Sequence, residues 1–190
     1  MRRSVTIALA AVAVALPACS SKTTEVNQPA SPSAQKPAGA PNSATTPSPA
    51  AHVGATLNLT GESGPLAVTL TKIINPATGK DGPPTDDSGN PNGSTYVAAM
   101  LTVNNTSNKA RKDDANNDSV IVGSNNQDYT PSVFSVTECT NFNDGQYQLG
   151  PGESVNGCVV FVMPPGVTPA KFKYTPSSGF ANSFGEWLIP

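Results

Sequence analysis

Two hydrophobic patterns divide this chain. Residues 5–16 form an apolar run without a single charge, whereas from Val53 onward apolar and polar positions alternate in short bursts punctuated by Gly, Pro, Asn and Asp. Alternation with a period of two predicts half-buried strands. Residues 56–59 predict a short strand that ends at Thr60-Gly61, and Leu66, Val68 and Leu70 alternate with Ala67, Thr69 and Thr71 in the next. The phase slips at Lys72-Ile73-Ile74, which predicts a bulge or a strand end. Residues 75–94 carry Pro76, Gly79, Gly82, Pro83, Pro84, Gly89, Pro91 and Gly93, so a long exposed loop is predicted there.

Residues 95–103 predict the central strand. Val97, Ala99, Leu101 and Val103 line one face, and Tyr96, Ala98 and Met100 line the other. Apolar character on both faces is the mark of a strand covered on both sides. Asn104-Asn105-Thr106-Ser107-Asn108 reads as a turn, and residues 120–122 and 127–129 flank a hairpin turn at 123–126. Residues 133–136 extend that run. Gly150-Pro151-Gly152 introduces a Val-rich strand over 154–163, closed by Pro164-Pro165-Gly166. Phe172 and Tyr174 alternate with Lys171 and Lys173, and Trp187, Leu188 and Ile189 end the chain in a last strand. No segment sustains a helical period. Seven to nine short strands, each with one face to bury, predict an all-β, antiparallel sandwich or barrel over residues 52–190.

The residues before this domain bear on location. Arg2 and Arg3 precede the apolar run, and Leu16-Pro17-Ala18-Cys19 follows it. A charged start, a short apolar core and a small-residue site make an export signal. The run is shorter than the ~20 residues that span a bilayer. A cysteine placed just after Leu-x-Ala resembles a bacterial lipobox. That resemblance implies cleavage after residue 18 and diacylation of Cys19, with a plain secreted form as the alternative. Residues 19–51 are rich in Pro, Ala, Ser and Thr and hold no aromatic residue, so they cannot bury a core and are predicted to be a disordered linker.

Composition narrows the partners. Eleven basic residues against thirteen acidic ones give a net charge of −2, and no basic stripe with interleaved aromatics occurs, so no nucleic acid is expected. The acidity is mild and scattered, which argues for solubility. With Cys19 taken by the anchor, Cys139 and Cys158 remain as an even pair in an oxidising setting, and a disulfide is expected. The C-x-x-C spacing of a redox pair is absent.

Candidate chemistry is sparse. His52 is the only histidine, and its position at the linker edge gives it no rigid scaffold for general-base work. Ser-His, Cys-His and His-based metal hydrolysis are disfavoured together. Two acidic groups, Asp81, Asp86 and Asp87 on the long loop and Asp113, Asp114 and Asp118 around Asn116-Asn117, read either as solvated loops or as weak calcium candidates. Neither follows the D-x-D-x-D-G spacing. No cofactor is expected. The aromatics Tyr96, Tyr129, Phe134, Phe161, Phe172, Tyr174, Phe180, Phe184 and Trp187 are core candidates. Phe142 and Tyr147 sit in the loop that the disulfide pins, where they either pack over a sheet end or form a recognition loop.

Several stretches together carry a resemblance. They are residues 95–106 (TYVAAMLTVNNT), Gln127-Asp128-Tyr129-Thr130-Pro131, Leu149-Gly150-Pro151-Gly152-Glu153-Ser154 with Gly157-Cys158-Val159-Val160-Phe161, and Gly185-Glu186-Trp187. The domain resembles the immunoglobulin-like domains of unknown function of actinobacterial, particularly mycobacterial, lipoproteins, with a mycobacterial secreted immunogenic antigen as a distant relative. The resemblance implies an immunoglobulin-like sandwich at the cell surface and no activity. Trp187 lies after both cysteines, so the antibody-type pairing of a bridge around a buried Trp is not matched. The expectation is a non-enzymatic, lipid-anchored surface protein, held to the membrane through Cys19 or shed from it, that binds an envelope or host protein. A carrier of a lipid or other apolar molecule is the alternative, and a wall-associated enzyme accessory is the weaker one.

Overall fold

The computed structural model describes residues 51–190. The expected export signal, Cys19 and the expected linker lie outside the described residues, apart from Ala51. Eleven strands form, of which nine are four residues or longer. They are β1 (Ala51–His52), β2 (Thr56–Gly61), β3 (Gly64–Ala77), β4 (Thr95–Asn104), β5 (Arg111–Asp114), β6 (Ser119–Gly123), β7 (Asp128–Tyr129), β8 (Gln146–Leu149), β9 (Ser154–Met163), β10 (Pro169–Tyr174) and β11 (Gly185–Leu188). One helical turn, α1 (Ala115–Asp118), joins β5 to β6.

The strands make a five-stranded sheet in the order β1-β11-β10-β6-β7 and a four-stranded sheet in the order β2-β3-β4-β9, with a small β5-β8 ribbon. The expected β-sandwich is the observed fold. Its strands pair antiparallel except at one edge, where β1 runs parallel to β11 with Ala51 opposite Trp187. The domain therefore includes Ala51, one residue earlier than the sequence boundary. The phase slip at Lys72 is a bulge between Leu70 and Lys72, after which β3 continues to Ala77. That bulge carries the strand three residues into the stretch expected to be loop.

Why the sheets pack follows from the alternation. Leu66, Val68 and Leu70 of β3, Val97, Ala99, Leu101 and Val103 of β4, and Val159, Phe161 and Met163 of β9 all point inward. They meet Ile121, Phe172, Tyr174 and Trp187 from the other sheet. Phe172 stacks between Phe161, edge-on at 6.4 Å, and Trp187 at 5.8 Å. Trp187 satisfies its indole N–H by donating to the Ala55 carbonyl at 2.9 Å. Such large aromatics dominate the hydrophobic stabilisation of a sandwich core.

The central strand is covered on its other face as well. Tyr96, Ala98, Cys158 and Val160 form a second buried cluster with Ala77 and Val136 on the outer side of the four-stranded sheet. The Cys139–Cys158 disulfide belongs to this outer layer. It ties the segment after Val136 onto β9, and the Cys158 N–H donates to the Thr140 carbonyl at 2.9 Å. Residues 133–136 are not a strand. Val133 is exposed and Val136 plugs the outer cluster.

Candidate functional site

The ribbon of β5 and β8 escaped the sequence pattern, and it builds the most polar part of the interior. Arg111 opens β5 with its side chain fully buried. Its guanidinium donates to the Gly64 carbonyl at 2.6 Å and pairs with the Asp113 carboxylate at 3.3 Å. Gly61 makes room for this approach, since a Cβ there would lie 2.8 Å from Ser177 Oγ and 3.1 Å from an Arg111 nitrogen. Asp114 caps α1 by accepting from the Asn116 and Asn117 N–H groups. Asp118 ends α1 and is buried.

Two carboxylates of this cluster hold one loop. After β10, residues 175–184 form a tight turn. Asp113 Oδ2 accepts from the Ser177 N–H at 3.1 Å, and Asp118 Oδ1 accepts from the Ser178 N–H at 2.6 Å. The Asp118 carbonyl accepts from the Thr175 N–H at 2.7 Å, and Ser177 Oγ accepts from the Glu62 N–H at 2.9 Å. Ser177 and Ser178 sit at φ of 62° and 55°, in the left-handed region that disfavours side chains bearing a Cβ. The buried acids hold the backbone in that unfavourable conformation.

A tyrosine pair completes the cluster. The hydroxyls of Tyr147 (β8) and Tyr174 (β10) lie 2.9 Å apart in the interior. Burial pushes the Asp118 carboxyl up to about 7, and the neighbouring Asp113 charge adds to the rise. The Tyr174 hydroxyl and the Ser178 N–H oppose it. Burial also pushes both tyrosine hydroxyls above their ordinary value. Asp118 Oδ2 and Arg111 Nε are buried without a hydrogen-bond partner among the described residues.

The aromatic assignments made from sequence change places here. Tyr147, expected either to pack over a sheet end or to form a recognition loop, is a strand residue only 6% exposed, because β8 pairs with β5 and turns it inward. Phe142 is partly buried and lies against Tyr147 at 5.8 Å and over Gly157, so it closes the sheet instead of presenting a surface. Phe180 and Phe184, expected in the core, are 82% and 62% exposed on the loop that Asp113 and Asp118 hold. Phe134 is partly exposed and leans on Tyr96 at 5.5 Å. The signal that could have found this is the composition of residues 175–184, TPSSGFANSF, where two Phe stand among turn formers with no strand alternation.

The acidic side chains around α1 are engaged within the fold. Asp113, Asp114 and Asp118 are each engaged with Arg111, the α1 cap and the Ser178 N–H. Asp86 accepts from the Ser88 and Asn90 N–H groups in a local turn that Asp81 and Asp87 do not join. Among the described residues no group of three His, Cys, Asp or Glu side chains is placed to hold a metal. His52 stands exposed on the edge strand β1. Clefts occur on the surface. One of about 480 Å³ is lined by Val53, Lys72, Ile73, Asn75, Pro169 and Ile189. Another, of about 350 Å³, is lined by Pro83, Pro84 and Tyr96. No helix among the described residues is long and apolar enough to cross a membrane.

Fold and interior together define an antiparallel β-sandwich domain with a buried acid–tyrosine cluster under an aromatic turn. The chain belongs to the family described as a domain of unknown function, DUF4352, whose profile matches residues 56–183. No curated protein matches the sequence. Among solved structures, the secreted protein MPT63 of Mycobacterium tuberculosis is similar at 15% identity, over 74% of this chain and 96% of its own, with a TM-score of 0.50. An uncharacterized β-sandwich protein from Clostridium difficile 630 also matches, at 12% identity over 74% and 95% of the two chains, with a TM-score of 0.42. The first of these likenesses supports the sandwich fold.

Proposed function

We propose that this protein is an exported, lipid-anchored and non-enzymatic interaction module, and that the turn at residues 175–184 is its contact surface. The carrying observation is the exposure of Phe180 and Phe184 on a backbone that two buried carboxylates lock in place. Exposed aromatics cost solvation in the free protein, and a held loop loses little entropy when a partner covers it. Aromatic side chains are also the usual anchors of protein interfaces. The partner on this reading is a protein of the cell envelope or of a host, with an apolar pocket for the two rings.

Export and anchoring rest on Arg2, Arg3, the apolar run and Cys19. Globomycin should make the uncleaved precursor accumulate, and Cys19→Ser should move the protein from the detergent phase to the aqueous phase. The carrier alternative draws less support, because Trp187, Phe161, Phe172 and Tyr174 fill the space between the sheets.

The contact surface is tested by comparing the purified wild-type chain with the double variant Phe180→Ser, Phe184→Ser. Binding to envelopes of the producing cells should fall at least tenfold, while the melting temperature stays within a few degrees. Unchanged binding would remove the turn from consideration.

A further inference from the structure

We propose that residues 175–181 are a pH-gated cover over Asp118, closed while its carboxyl is neutral and opened when that carboxyl ionises. The inference rests on the reading of this turn as the contact surface, and it names how that surface is regulated. Phe180 is presented in the closed state and loses its fixed position in the open one.

The argument starts from the charges that face Asp118. From β5 come Arg111 and Asp113, from the start of α1 comes Asp114, from β8 comes Tyr147, and from β10 comes Tyr174. Glu62, on the turn between β2 and β3, reaches the cover only through its backbone N–H. One guanidinium is present, and Asp113 already takes it at 3.3 Å. An ionised Asp118 is therefore a second buried anion with no cation of its own. Burying an unpaired charge is far more costly than burying a neutral polar group, so the ionised state favours hydration.

The hydrogen bonds accommodate the neutral state. Asp118 Oδ1 accepts from the Ser178 N–H, and Oδ2 is free to carry the proton. Tyr174 lies beside the carboxyl, and its hydroxyl meets that of Tyr147 at 2.9 Å. Ionisation therefore adds a dry anion with no cation of its own.

Water reaches the anion by the path that is easiest to open. Ser178 and Gly179 are exposed, and they lie on the turn whose N–H groups bond Asp113 and Asp118. Ser177, Ser178 and Gly179 run consecutively at positive φ, so releasing the turn also relieves backbone strain. The closing bonds within the turn are local ones, at 3.1 Å from Gly179, Phe180 and Ala181 to Thr175, Ser177 and Pro176. Opening here needs no change in either sheet. Local openings of this kind draw on the least stable parts of a fold.

The test is amide hydrogen exchange of residues 177–181 in the full chain at pH 6 and pH 8.5, corrected for the intrinsic base-catalysed rate. Protection should fall at least tenfold in the wild type. Asp118→Asn mimics the neutral acid, since its amide oxygen still accepts from the Ser178 N–H and it carries no charge, and its protection should be the same at both pH values. Equal pH responses in wild type and Asp118→Asn would overturn the proposal. Should Asp118→Asn not fold, the carboxyl carbon resonance of Asp118 decides: a midpoint between 6 and 8 that coincides with the loss of protection at 177–181 supports the gate, and any other midpoint, or one without that loss, overturns it. No partner enters these measurements, so a failed gate and a failed contact surface are told apart.

Discussion

The Tyr174 hydroxyl meets the Tyr147 hydroxyl at 2.9 Å inside the protein, joining β10 of the larger sheet to the β5-β8 ribbon. Removing one partner leaves the other buried and less satisfied, which costs about 1–3 kcal/mol. Tyr147→Phe should therefore lower stability by about 1–2 kcal/mol in denaturant unfolding. Tyr174→Phe should cost more, because it also deprives Asp118 of a donor. Equal losses from the two changes would show that Tyr174 does not serve the acid.

Stability should depend on pH through Asp118. Its carboxyl is raised to about 7 in the fold, by burial first and the Asp113 charge second, while an unfolded aspartate titrates near ~3.9. Between those values the native state keeps a proton that the unfolded state has lost. Stability from this group is full below about 4, falls as the pH rises toward 7, and is flat beyond. Asp118→Asn removes the dependence. The variant should melt several degrees above the wild type at pH 8 and close to it at pH 4. Parallel melting curves across that range would contradict the assignment.

The Cys139–Cys158 bridge spans nineteen residues of sequence. A loop of that length is worth about 3 kcal/mol in the chain-entropy account. The double variant Cys139→Ala, Cys158→Ala should remain folded, because the inner core does not include the bridge. Its urea midpoint should drop by the equivalent of about 3 kcal/mol. Loss of the exposed 175–184 surface along with the bridge would mean that the two layers are coupled.

Gly157 is needed for Phe142 to lie flat on β9. A Cβ at this position would come within 2.6 Å of the Phe142 ring. Gly157→Ala should displace that ring and cost about 1–3 kcal/mol by overpacking. Gly152→Ala is a useful contrast, because open space surrounds it and its φ of 76° alone penalises the change. A Gly157→Ala protein as stable as wild type would place Phe142 elsewhere.

The frame of the sandwich was legible because its strands alternate. Leu66, Val68 and Leu70, and the two apolar faces of residues 95–103, point where their spacing says. The β5-β8 ribbon was not legible. Arg111, Lys112, Asp113 and Asp114 form a strand with no apolar residue, and their pairing with Gln146, Tyr147, Gln148 and Leu149 is a tertiary fact. Arg111 and Asp118 read as surface charges because burial of a charge depends on partners distant in sequence. The same distance hid the proposed contact surface. Phe180 and Phe184 carry the label of core residues, but they stand exposed on a loop whose Ser177 and Ser178 N–H groups donate to Asp113 and Asp118.

The claim at the centre of this account is that the aromatic turn meets a partner at the cell surface. It is tested most directly by placing a photo-crosslinking phenylalanine analogue at position 180 of the full chain and irradiating intact producing cells, with the same analogue at the exposed Lys112 as the control. The account predicts one discrete adduct from position 180, none from position 112, and competition by added wild-type protein but not by the Phe180→Ser, Phe184→Ser variant. Equal labelling from both positions, or none from position 180, would contradict it.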